Sequence, residues 1–278
     1  MCDGLLAGRR EKMAFIIPGS GSEKSCTGLW SSPSCAHQNG VEMGSVVPCV
    51  KQLMADGWGA CVLSPYCNFD EASKAPLIGS ATPLEHLVTA WDWALQRLPH
   101  LTQVVIIAHS EGGRLLVELL HRRQSSLERL LVGAALADSV HQQKRVDALS
   151  TTAISMMNER FMHWVASDQP LNARDSRNGA PYVRAGCPCR SAGTRKHEMT
   201  PGTALPAMLG WLREAATEHM REQQREVSPE PFYQQLHISF KVSDLVTMCH
   251  YRGPGGGGGV ILPPIAPRNH RAPPAGAA

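Results

Sequence analysis

Residues Gln103 to Gly113, Gln-Val-Val-Ile-Ile-Ala-His-Ser-Glu-Gly-Gly, constrain this chain more than any other stretch. Val104 to Ile107 are four consecutive β-branched residues, the pattern of a strand buried on both faces, as in a parallel sheet. The run stops at Ala108-His109-Ser110-Glu111-Gly112, and a helical pattern follows from Arg114 to Leu120. A strand entering a helix through small-x-Ser-x-small is the setting of a nucleophile elbow, a tight, strained turn that presents the serine. Small residues two before and two after Ser110 let strand and helix backbones pass without a Cβ clash, with Ala108 standing where glycine is usual. The competing reading is that Ser110 only caps the helix. The pentapeptide alone does not decide between them.

Alternation of strands and helices runs through most of the chain. Met13–Ile17, Trp58–Leu63, Leu130–Leu136, Phe161–Ala166 and Cys189–Gly193 read as further strands. Met43–Gly57, Pro83–Leu98 and Pro201–Arg221 read as helices, with Thr82 and Thr200 as caps and the Pro83–Leu98 tryptophans in the core. Such alternation predicts an α/β fold, a doubly wound, mainly parallel sheet covered on both faces. This domain is expected over 12–221, with an uncertain extension over 222–250. The Gly/Pro-rich remainder, 251–278, is too poor in apolar side chains to bury and is expected to be a disordered tail.

A chain of 278 residues with 43% hydrophobic and 18% charged content suits one globular domain with a substantial core. The net charge of +3 argues against a polyanion binder, and the local basic residues Arg184, Arg190, Arg195 and Lys196 lack an aromatic stacking partner, so direct nucleic-acid binding is not expected. No apolar run is long enough to span a bilayer and no secretory leader precedes the Arg9-Arg10-Glu11-Lys12 cluster, so a soluble intracellular protein is expected. Nine cysteines without a repeated C-x-x-C spacing, Cys187-Pro-Cys189 included, read as buried thiols, and no metal or other cofactor is expected. Pro18-Gly19-Ser20-Gly21 follows a strand but lacks the Gly-Lys-Ser/Thr ending of a phosphate loop.

A serine hydroxyl becomes a nucleophile when a base takes its proton, and the base needs an acid to fix its tautomer. In doubly wound sheets these arrive as Ser, acid, His at successive strand ends. The chain offers Ser110, Asp168 after the Phe161–Ala166 strand, and His197 after the Cys189–Gly193 strand, with Asp138 as reserve acid. Taken singly, Asp168 is a turn cap and His197 a solvated approach to a helix; together, in order, they point to a catalytic triad. His109 reads as a packing residue, since neighbours on a turn do not bring imidazole and hydroxyl into line. An oxyanion hole would use the backbone N–H of Glu111 and one from the Gly19-Ser20 loop.

Several spaced motifs occur together: Ile16-Ile-Pro-Gly-Ser-Gly21, Gly28-Leu-Trp30, Gly57-Trp-Gly59 with Leu63-Ser-Pro65, Glu85-His86, Ala108-His-Ser-Glu-Gly-Gly113, Asp138-Ser-Val-His141, Trp164-Val-Ala-Ser-Asp-Gln-Pro-Leu171 and Ser191-Ala-Gly-Thr-Arg-Lys-His-Glu198. In that order they resemble the Argonaute-binding-protein (Arb-type) domain family, a branch of the α/β-hydrolase superfamily, over roughly Lys12 to Arg221. The resemblance implies a nuclear or cytoplasmic protein associated with Argonaute or chromatin machinery, in RNA silencing, heterochromatin or splicing regulation. It also implies a hydrolase-like serine site carried by Ser110, His197 and Asp168. By comparison with α/β-hydrolases, the strands that usually precede Pro18-Gly19 are expected to be missing, which would leave one sheet edge short. Two functions stay open: a serine esterase or thioesterase acting on a small acyl substrate, and a non-catalytic adapter built on the same fold.

Overall fold

The computed structural model describes residues 10–20, 28–30, 40–174, 176–177, 180–181, 183–184 and 186–227. The chain divides into Met1–Ser228 and Pro229–Ala278, and every described residue belongs to the first unit. The expectations for 228–278 lie outside the described residues.

In chain order the elements are β1 (Lys12–Ile17), α1 (Gly40–Gly44), α2 (Val47–Ala55), β2 (Gly59–Val62), α3 (Pro83–Arg97), β3 (Gln103–His109), α4 (Glu111–Leu130), β4 (Leu131–Ala137), α5 (Gln143–Asp147), α6 (Thr151–Arg160), β5 (Phe161–Val165), the short β6 (Ser176–Arg177), β7 (Ala180–Pro181) and β8 (Val183–Arg184), β9 (Cys187–Ser191), a 3-10 turn (His197–Met199) and α7 (Thr200–Val227). The main sheet has the order β2-β1-β3-β4-β5-β9-β8. Its first six strands run parallel and β8 closes one end antiparallel to β9. This is the doubly wound α/β architecture that the alternation predicted.

The period of two along each strand separates two cores. Phe15, Ile17, Val104, Ile106 and Leu136 meet Trp91 of α3 and Leu115, Leu116 and Leu119 of α4 on one face. Ala14, Ile16, Val105, Ile107 and Trp164 meet Cys49 and Leu53 of α2 and Met208 and Leu212 of α7 on the other. All seven residues of β3 are buried, as the β-branched run required.

Local differences have local causes. The helix expected over Met43–Gly57 is two helices, because Ser45 bridges to Leu29 and Pro48 sits in the first turn of a new helix, where a missing N–H costs nothing. Thr82 caps α3 as expected, accepting 3.1 Å from the Glu85 N–H. Thr200 instead lies in the first turn of α7 and donates its hydroxyl 2.8 Å to the His197 carbonyl. Trp91 is core, whereas Trp93 is half-buried and lines a pocket with Cys61, Ile78 and His86. Cys49, Cys187 and Cys189 are buried free thiols, while Cys67 is exposed.

Candidate functional site

The site lies where β3, β4 and β9 deliver their carboxyl ends. Ser110 sits between β3 and α4 at φ 53°, ψ −119°, a left-handed conformation that a serine adopts only when its surroundings impose it. Its N–H donates 3.0 Å to the Ala137 carbonyl, and its own carbonyl accepts from Gly113 (3.1 Å) and Val140 (3.2 Å). The turn needs glycines around it. A Cβ on Gly19 would stand 2.9 Å from the Ser110 Cβ, and a Cβ on Gly112 would stand 2.3 Å from the Ile17 carbonyl oxygen. Small residues therefore let β1, the elbow and α4 close onto one another.

Ser110 makes no side-chain cap to α4, so helix capping does not account for it. Its hydroxyl instead lies 2.8 Å from His197 Nε2, and His197 Nδ1 lies 2.7 Å from Asp138 Oδ2. A carboxylate can only accept, so Nδ1 carries the proton and Nε2 is left to accept from the serine hydroxyl. This is the hydrogen-bonded geometry of a nucleophile, a base and an orienting acid.

The carboxylate that faces His197 is that of the reserve candidate, Asp138. Asp168, expected to orient His197, is exposed and pairs with Arg195 across the two loops, which holds its carboxyl below the usual range. Asp138 follows β4, the strand next to that of Ser110, with its backbone at φ 38°. Its Oδ1 accepts 3.1 Å from the Ala166 N–H while Oδ2 faces His197. Burial alone would push the Asp138 carboxyl up, but the hydrogen bonds from His197 and Ala166 and the nearby imidazoles outweigh it and hold the group below the usual carboxylate range.

Gly19 meets Ser110 directly, Ser20 follows it half-buried, and Glu111 opens α4, where the first N–H groups have no partner within the helix. The Glu111 side chain turns to Arg114. The backbone N–H of Glu111 and the Gly19-Ser20 loop remain the proposed oxyanion donors.

His109 does more than fill space. It is 3% exposed, and its Nε2 donates 3.2 Å to the His197 carbonyl, with the two rings 4.9 Å apart. Burial, and then the neighbouring His197, push its pKa down to about 4 from 6.5. The unfolded chain takes up that proton more readily, so this contribution to stability is fully present above pH 6.5 and is lost as the pH falls towards 4. The whole shift corresponds to about 3 kcal/mol. Denaturant unfolding of wild type and His109→Gln at pH 7 and pH 5 measures it: acid should destabilise wild type more steeply, and equal pH dependence would refute the assignment.

A family model, the Arb2 domain, matches residues 8–171, which include Ser110 and Asp138 and stop before His197. The human cotranscriptional regulator ARB2A is 24% identical over 256 residues, covering 74% of this chain and 59% of the relative. Its chicken homolog is 23% identical over 281 residues (83% and 64%), and the Dictyostelium discoideum homolog 26% over 220 residues (68% and 55%). The chain thus spans about three fifths of the length of these curated relatives. Because the family model runs across more than half of its length, over the strands that lead to Ser110 and Asp138, the chain belongs to the Arb2 domain family.

Proposed function

We propose that this chain works in cotranscriptional regulation as an adapter, an Arb2 domain whose α/β-hydrolase-like fold serves as a scaffold for Argonaute or chromatin-associated proteins in the nucleus. What supports this reading is the shared family and the likeness to proteins named as cotranscriptional regulators. Among the described residues no helix is long and apolar enough to cross a membrane. Ser110→Ala is the discriminating variant. It removes one hydroxyl from a half-buried turn, so the adapter reading expects a folded protein with unchanged partner capture and cellular function. Lost function with binding preserved would overturn it.

One observation favours a second reading, a serine esterase or thioesterase: the Ser110–His197–Asp138 hydrogen-bonded chain at 2.8 and 2.7 Å. In that reaction the Ser110 oxygen attacks an acyl carbon while His197 takes the hydroxyl proton. The oxyanion is held by backbone N–H groups of Glu111 and the Gly19-Ser20 loop, and His197 returns the proton to the leaving group. A water activated by His197 then hydrolyses the acyl-serine. A fluorophosphonate probe tests it directly. Labelling of wild type that disappears in Ser110→Ala and His197→Ala supports the reading, and folded wild type that stays unlabelled overturns it.

A further inference from the structure

The turn that carries Asp138 is fastened by a second buried imidazole, His163, through the backbone N–H of Ser139. His163 lies in β5, opposite Leu136 of β4, and is fully buried. Its Nε2 accepts 2.8 Å from the N–H of Ser139, the residue after Asp138. An imidazole nitrogen that accepts an amide proton carries none itself, so His163 holds its proton on Nδ1 and works as a neutral ring.

The rest of the turn shows why that one bond matters. Asp138 is not glycine, yet its backbone is at φ 38°, and such a conformation persists only when several contacts impose it. The Asp138 N–H donates 2.8 Å to the Trp164 carbonyl, and the Val140 N–H donates 3.2 Å to the Ser110 carbonyl. The Ser139 side chain is fully buried, bonded at 2.7 Å to His141 Nδ1 and pressed against the start of α4, where a Cβ on Gly113 would stand 2.0 Å from its oxygen. Nucleophile turn and acid turn are thereby locked together. Between them, the Ser139 N–H is the donor whose acceptor is a side chain from the neighbouring strand, and losing that acceptor leaves a buried N–H without a partner.

We propose that His163 is a positioning residue: as an uncharged acceptor for the Ser139 N–H, it fixes the strained turn that aims the Asp138 carboxylate at His197 and so selects the tautomer of the base. This rests on the triad geometry behind the hydrolase reading, but its readout does not require turnover.

The experiment uses the full chain with ¹⁵N-labelled histidine, reading the protonated nitrogen of each ring from long-range proton–nitrogen spectra. In wild type His163 should carry its proton on Nδ1 and His197 should also carry its proton on Nδ1, facing Asp138. In His163→Phe, which keeps the ring volume and removes the acceptor, His197 should become a mixture of tautomers. Any fluorophosphonate labelling of Ser110 should slow on the order of a hundredfold, the scale expected when a reacting group is misplaced by an ångström. His163→Gln, whose amide oxygen reaches the same place as Nε2, should restore both. A proton on His163 Nε2 in wild type, or a folded His163→Phe with an unchanged His197 tautomer, overturns the proposal. If neither variant folds, the wild-type tautomer and the exchange of the Ser139 amide decide: a bare Nε2 with a slowly exchanging amide supports it, and a freely exchanging amide overturns it. Wild type that never labels removes the hydrolase reading while the tautomer measurement still settles the role of His163.

Discussion

Asp138→Asn is expected to slow the reaction of Ser110 with a fluorophosphonate by about 10⁴-fold, and Asp168→Asn to leave it unchanged. The contrast follows from what each carboxylate holds. Asp138 Oδ2 accepts from His197 Nδ1 at 2.7 Å, which leaves Nε2 bare towards the Ser110 hydroxyl 2.8 Å away. An amide at 138 offers an NH₂ to that nitrogen, stabilises the tautomer with its proton on Nε2, and removes the lone pair that must accept the serine proton. The amide keeps an oxygen for the Ala166 N–H, so the turn survives and the loss is one of chemistry rather than of folding. Asp168 is exposed and bonds Arg195, a pair of surface charges that contributes little. Labelling rates of the two variants, with thermal unfolding as a check on folding, measure the difference. Equal damage from both would show that the acid is not confined to Asp138.

The same comparison shows what a sequence can disclose. Strand β3 was legible because four β-branched residues in a row, followed by small-x-Ser-x-small, leave few alternatives for a buried backbone. The helix α3 was legible through Thr82, Pro83 and one apolar face. Ser110 and His197 were legible as strand ends in the right order, and the structure brings them together. Which carboxylate faces His197 was not legible, because Asp138 and Asp168 both follow strands and chain order does not say how far a later loop reaches back. That depends on the sheet: β9 lies beyond β5, yet the loop after it returns over β5 to β4, and Arg195 on that loop engages Asp168 on its way. Aspartate tolerates a left-handed backbone better than most residues, but both candidates are aspartates, so the φ of Asp138 has no signature in residue type that separates them. His109 and His163 were harder still. A histidine inside an apolar run looks the same whether it packs, donates to a carbonyl or accepts from an amide, and only the neighbouring strand or loop decides which.

Gly112→Ala is expected to destabilise the fold, while Gly210→Ala, the same chemical change, should stabilise it. At 112 the new methyl would stand 2.3 Å from the Ile17 carbonyl oxygen and 2.9 Å from that of Pro18. Both are backbone atoms at the end of β1, a strand hydrogen-bonded to neighbours on both sides, so neither can turn away as a side chain would. Relief requires α4 to lift from the sheet or β1 to shift, at a cost of about 1–3 kcal/mol or more for overpacking. The first turn of α4 carries the elbow, so Ser110 moves with it, and reactivity should fall together with stability. At 210, within α7, an added methyl meets nothing within 4 Å and removes backbone freedom from the unfolded chain. That change is worth about 0.5–1 kcal/mol in favour of the fold. Denaturant midpoints of the two variants measured side by side test the argument, since helix propensity alone would favour alanine at both positions. Only the closeness of β1 to α4 at the elbow gives them opposite signs, and a stabilised Gly112→Ala would mean that the strand and helix do not approach as closely as the nucleophile turn requires.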